Sequence, residues 1–173
     1  GLPPRPEHRG AHLVQPGPMT HDVLMMLDGD AAESARTIDL IERVIGDIAR
    51  NSNDGTGAAP PDATPQDELA RCWLDDMLWW GPDGIGATYT IDRYIEQHQQ
   101  PFRRMLTNRA FNGHICRLAE GNFGGFFGWP NLTMTSVGGY LGLPEGTVGD
   151  MRVVDMYRRD GDKLAENWIF IDI

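Results

Sequence analysis

The residues of this chain best suited to chemistry gather between Met151 and Ile173. Three carboxylates, Asp155, Glu166 and Asp172, are interleaved there with Tyr157, Trp168, Ile169, Phe170 and Ile171. A carboxylate set against apolar surface is desolvated. Its pKa rises toward neutrality, where it can work as an acid or a base. The segment reads as two strands joined by the turn Arg159-Asp160-Gly161-Asp162-Lys163, with Gly161 free to take a positive φ. Strand alternation puts Glu166, Trp168, Phe170 and Asp172 on one face and Asn167, Ile169 and Ile171 on the other. Val153, Asp155 and Tyr157 go together on the partner strand.

Asp172 is the first candidate for proton transfer, in a pocket expected to be lined by Trp168, Phe170 and other aromatics. Asp155 is either a second pocket carboxylate facing Asp172 across the hairpin or a surface partner for Arg152 or Arg158. Glu166 lies near the turn and fits a salt bridge with Lys163 or an arginine. His98 sits one helical turn before Pro101, where a roofing histidine could bond a substrate carbonyl or share a proton. His114, alternating with Cys116 and Leu118, reads as structural. For binding a flat apolar ligand the candidates are Trp168, Trp79, Tyr89, Tyr94, Trp129 and Phe127.

Other chemistries lack their signatures. Gly84-Ile85-Gly86 has neither the Lys-Ser/Thr of a phosphate loop nor the full dinucleotide spacing. His8 and His12 are four apart but stand among prolines and glycine that oppose a helix, and no other His, Cys or carboxylate set has metal-ligand spacing. Chemistry without a metal or organic cofactor is the expectation. A net charge of −10 weighs against nucleic acid. Asn131-Leu132-Thr133 matches a glycosylation triplet by coincidence in a chain with no sign of secretion. No apolar run approaches a membrane span, the N-terminal segment lacks the hydrophobic core of a signal peptide, and the two cysteines, Cys72 and Cys116, suit a reducing cytoplasmic setting.

The elements that must position these residues follow from the pattern of the 173-residue chain. Residues 1–19 form an irregular arm, and 20–173 one domain with a mobile linker at about 51–66. Helices are expected at Thr20–Leu27 and Ser34–Arg50, the second with Ile38, Ile41, Ile45 and Ile48 at helical spacing. Trp73–Trp80 reads as a strand. A helix capped by Thr90 runs to about Gln99 and is interrupted at Pro101, with Phe102 and Leu106 continuing its inner side. Strands follow at about 113–119, 122–129 and 133–137, then the hairpin. The order is α+β, and glycines 121, 124, 125 and 128 mark a curved, mostly antiparallel sheet. Both faces of the last strands are apolar. The outer set, Ile169 and Ile171 with Val154 and Met156, is expected to be covered by a second copy in a homodimer.

The hairpin also carries a resemblance. Gly139 to Gly142, Pro144, Asp155, Gly161, Lys163, Leu164, Glu166, Trp168 and Asp172, with Leu78–Leu106 and Thr135–Asp150 upstream, resemble the SnoaL-like polyketide cyclases and ester cyclases of the nuclear transport factor 2-like superfamily. The resemblance spans roughly Trp73 to Ile173 and implies a cystatin-like cone, a sheet wrapped around helices with an internal pocket. It implies acid/base chemistry by a late-strand aspartate, matched by Asp172, on a small apolar carbonyl compound, with polyketide ring closure as the named reaction. It also implies a short further stretch beyond Ile173. The superfamily's epoxide hydrolases use an Arg and an Asp two apart on one strand. Arg152 and Asp155 are three apart and face opposite ways, against that version. A non-catalytic binding or assembly module, and isomerase or dehydratase chemistry on a steroid-like ligand, remain the alternatives.

Overall fold

In the computed structural model, which describes residues 31–52, 65–112 and 116–173, the amphipathic segment forms helix α1 (Ala31–Ser52). The N-terminal arm, the helix expected at Thr20–Leu27, the middle of the linker and His114 lie outside the described residues. Leu40, Ile41, Val44 and Ile45 are buried along one stripe of α1. Ser34 does not cap the helix. The helix begins three residues earlier, and the Ser34 hydroxyl accepts a hydrogen bond from the Gly121 amide at 2.9 Å. The expected linker is shorter than predicted, because Asn51 and Ser52 still belong to α1 while Pro65 and Gln66 open helix α2 (Pro65–Ala70).

Strand β1 (Trp73–Trp80) pairs antiparallel with the short β2 (Ala87–Tyr89). Thr90 then starts helix α3 (Ile91–Tyr94), its hydroxyl accepting from the Arg93 amide. The break expected at Pro101 does not occur. The chain widens into a π-helical turn (Ile95–Gln99) and continues as α4 (Gln100–Met105), with Pro101 in the first turn of that segment. Residues opening a helical segment have no obligatory partner for their N–H, so proline is tolerated there. Leu106, expected on the helix, instead starts strand β3 (Leu106–Phe111). Strands β4 (Cys116–Glu120), β5 (Phe123–Ser136), β6 (Val148–Asp160) and β7 (Lys163–Asp172) complete the sheet.

Among the described residues the seven strands form one sheet in the order β2-β1-β7-β6-β5-β3, with β4 also on β5. Only the β1–β7 pair is parallel. The two separate strands expected at 122–129 and 133–137 are one strand, β5, whose register shifts between Gly128 and Leu132. Asn131 stitches that irregularity. Its buried side chain accepts from the Val153 amide at 2.9 Å, and its carbonyl accepts from the Asn112 amide at 2.8 Å. The fold is thus α+β, with helices held in the concavity of a mostly antiparallel sheet. No described helix is long and apolar enough to cross a membrane.

The hairpin turn falls on Gly161-Asp162, and Gly161 has φ 57°. Buried Arg159 ties this end of the hairpin to α1: its Nε donates to Thr37 Oγ1 at 2.9 Å, and its Nη2 pairs with Glu33. The side-chain parity expected from the sequence is present; on β7 its inside and outside are reversed, whereas on β6 Val154 and Met156 face outward as expected. Burial on β6 selects Met151, Val153, Asp155, Tyr157 and Arg159, and the facing residues of β7 are Asn167, Ile169 and Ile171. Ile169 and Ile171 are therefore inner residues. Phe170, 66% exposed, and Val154, 43% exposed, lie outside.

Gly124 marks where α1 meets β5. A Cβ there would stand 2.5 Å from Ile41 Cδ1 and 2.8 Å from the Leu118 carbonyl oxygen. Gly124→Ala is expected to destabilise the fold by about 1–3 kcal/mol, read as a lower urea midpoint. An unchanged midpoint would mean the helix does not seat against this strand.

Candidate functional site

Two apolar clusters flank a cavity of about 160 Å³. One cluster joins α1, β1 and the start of the roof helices through Ile41, Trp73, Trp79 and Ile95. The other joins β3, β5 and β6 through Leu106, Leu132, Met151 and Val153. The cavity floor is the inner face of the hairpin, and its roof is the helical stretch from Tyr94 to Arg103. The wall is mostly aromatic and aliphatic, with few polar groups, as small-molecule sites are.

Asp155 is the carboxylate on the floor of this cavity, which Asp47 of α1 also lines. Asp155 is 4% exposed, and among the described residues no cation pairs with it. The Tyr157 hydroxyl donates to Oδ2 at 2.6 Å, and Asn167 Nδ2 donates to Oδ1. Asn167 also donates to the Met156 carbonyl at 3.0 Å, which fixes its amide. Burial raises the Asp155 pKa to about 7, against the two hydrogen bonds, which favour the anion. A carboxylate offers about four lone-pair sites, so two such donors orient the group and leave room for a proton. Desolvation, and then the Asp155 charge, push the Tyr157 phenol well above its usual range, so it stays a hydrogen-bond donor.

His98 faces the cavity from the π-helical turn, a form often found at functional positions. Its ring stacks on Trp79 with centroids 4.3 Å apart and planes 22° apart, and Tyr94 and Phe102 enclose it. Burial lowers its pKa to about 3, so it is neutral in the folded protein. His98 Nδ1 is buried without a hydrogen-bond partner among the described residues. Trp79 meets Tyr94 edge-on at 5.4 Å, and Trp73 meets Tyr157 edge-on at 5.6 Å. These rings hold the roof to the floor.

The structure brings together Asp155, His98, Trp79 and Tyr94 and leaves the other candidates elsewhere. Asp172 is not in the cavity. It lies on the outer face, where it pairs in register with Arg152 and forms an ion pair of 2.6 Å with its side chain 66% exposed. Parity puts it there, because Asp155 and Asp172 belong to opposite faces of the hairpin. Trp168 shares that outer face, opposite Met156. Phe127 borders an outer groove with Arg152, Val154 and Phe170, and Tyr89 is 59% exposed on β2. Trp129 lies on β5, and its side chain is outside the described set. Glu166 serves as an outer strut, accepting from Trp80 Nε1 and Arg158 Nε.

Tyr157, Asn167 and Arg103 were missing from the candidate set. The parity of Tyr157 with Asp155, and of Asn167 with Ile169, was the signal for the first two. Nothing in the sequence pattern marked Arg103. Among the described residues no group of three or more His, Cys, Asp or Glu gathers where it could hold a metal ion.

The chain matches no protein-family model and no curated protein. Solved structures do resemble it. A candidate SnoaL-like polyketide cyclase from Jannaschia sp. CCS1 aligns with a TM-score of 0.62 at 16% identity, over 83% of this chain and 90% of that one. An NTF2-like protein from Anabaena variabilis aligns at 0.58 and 15% identity, over 81% and 92%. A candidate polyketide cyclase, IdmH from Streptomyces antibioticus, aligns at 0.52 and 14% identity, over 78% and 90%. The cone fold expected from the resemblance is therefore the fold of this chain.

Asp155 and His98 shape stability in opposite directions. The folded Asp155 carboxyl keeps a proton that the unfolded chain, with its pKa near 3.8, releases, so stability falls as pH rises from about 4 to about 7. Folded His98 refuses a proton that the unfolded chain, with its pKa near 6.5, accepts, so stability falls as pH drops from about 6.5 toward 3. Relative to the parent protein, Asp155→Asn should gain stability as pH rises through its window. His98→Gln should gain as pH falls through the other. Each gain should reach a few kcal/mol at most, measured from urea midpoints. Variant and parent curves that run parallel would show that these side chains are not desolvated.

Proposed function

From the cone fold shared with NTF2-like and SnoaL-like proteins, we propose that the cavity is an acid/base site for a small, largely apolar carbonyl compound, with Asp155 as the proton-exchanging group. The observation that carries the proposal is a buried carboxylate with a pKa near 7 on the floor of an aromatic cavity. In ring closure of the polyketide type, the Asp155 carboxylate takes a proton from a carbon beside a carbonyl. The resulting enolate carbon then bonds to a second carbonyl carbon of the same molecule. The proton returns from Asp155 to the new alkoxide, so the carboxylate is regenerated. Tyr157 and Asn167 hold the carboxylate in place, and the aromatic wall folds the substrate into a reactive shape. This reading uses no metal or organic cofactor. It pictures a cytoplasmic protein whose two cysteines are thiols and form no disulfide.

Deuterium incorporation beside the carbonyl of aryl ketones and 1,3-diketones, followed by NMR in heavy water, tests the assignment. Asp155→Asn should slow exchange by roughly 10²–10⁴-fold with ligand binding little changed. Asp172→Asn should leave the rate unaltered. Exchange that survives Asp155→Asn would remove this carboxylate from the mechanism. Ligand binding with no exchange in the parent protein would favour a non-catalytic binding module.

The same reading includes a homodimer through the outer hairpin face. Exposed Val154 and Phe170 lie opposite each other, flanked by Arg152–Asp172 at one end and Arg158–Glu166 at the other. Each flank carries both signs, so a two-fold axis can set arginine against carboxylate while the apolar centres meet. Light scattering should give a dimer at micromolar concentration, and Phe170→Glu should give a folded monomer. A monomeric parent protein would defeat the proposal.

A further inference from the structure

Arg103 projects from α4 to the cavity wall. Its Nη2 is buried, and among the described residues it has no hydrogen-bond partner. A guanidinium is charged at every working pH and presents five N–H donors in a rigid fork. Leaving one of those donors buried and unmatched is costly, and natural proteins rarely do so without a reason. Among the described residues no carboxylate lies within ion-pair distance of Arg103, although the chain is strongly acidic overall. His98 Nδ1, on the same roof and facing the same cavity, is likewise buried and unmatched. Arg103 and Asp155 line the same largely aromatic cavity, together with Tyr94.

We propose that the cavity's ligand carries a carboxylate, which Arg103 receives on the roof while the carbonyl part of the molecule reaches the Asp155 floor. The inference rests on the acid/base reading and narrows it from apolar carbonyl compounds to keto acids. A guanidinium fork matches a carboxylate in two parallel hydrogen bonds. An ester of the same shape accepts without the charge and loses most of that advantage. The aromatic wall takes the apolar body, and Arg103 sets which end of the molecule enters first.

The test compares 4-oxo-4-phenylbutanoate with its methyl ester by calorimetry on the full chain. The acid should bind about 10- to 100-fold more tightly than the ester, the range of one to two charge-assisted hydrogen bonds. Arg103→Gln should abolish that preference by weakening the acid and sparing the ester. Arg103→Lys, which keeps the charge without the fork, should restore part of it. Equal affinity for acid and ester in the parent protein, or no measurable binding of the acid, overturns the assignment without need of a variant. Asp155→Asn separates the two ideas. If it retains the preference but loses proton exchange, both hold. If Asp155→Asn exchanges normally and the acid preference persists, only the acid/base reading fails.

Discussion

Asp155 is almost wholly buried, and among the described residues its anion is held by two neutral donors, Tyr157 and Asn167. An ion pair would have pulled the carboxyl pKa down, and full solvation would have left it near its ordinary value. Burial without a cation does neither, and much of the surrounding structure follows from keeping that arrangement dry and oriented. Tyr157 must be inward on the same strand, two residues on. Asn167 must be opposite it on β7, which fixes the hairpin register. The hairpin end must be anchored, and buried Arg159 does this by joining Thr37 and Glu33 of α1.

The roof answers the same constraint from the other side. A strictly α-helical Thr90–Met105 segment would meet Pro101 in its interior. The π-helical turn lets the helix pass the proline and brings His98 against Trp79. A histidine kept neutral by burial adds polarity without adding charge. The cavity therefore holds one titrating carboxyl near pH 7, one neutral imidazole and one guanidinium, inside a mostly apolar wall. Such a site can discriminate ligands by where their oxygens lie.

The outer face of the hairpin has a different character. Its cross-strand pairs are Arg152 with Asp172, Val154 with Phe170, Met156 with Trp168, and Arg158 with Glu166. Ion pairs at the two ends enclose an apolar middle, which is an interface pattern rather than a catalytic one. Asp172 is fully accounted for there by Arg152, and an exposed ion pair of this kind contributes little on its own.

The sequence alone was enough for the α+β class, the amphipathic α1, the hairpin with its turn at Gly161, and the grouping of side chains by parity. Each depends on a local period or a local backbone preference, and those survive in any context. Parity says which residues share a face. It cannot say which face is inside, because each face of β6 and β7 carries at least one aromatic and one carboxylate. That choice belongs to the direction in which the sheet curls over α1 and the roof helices. It turned Asp155 inward, one of the two places expected for it, and Asp172 outward, against expectation. The unmatched nitrogen of Arg103 was equally illegible, since a missing partner exists only once every neighbour has been placed.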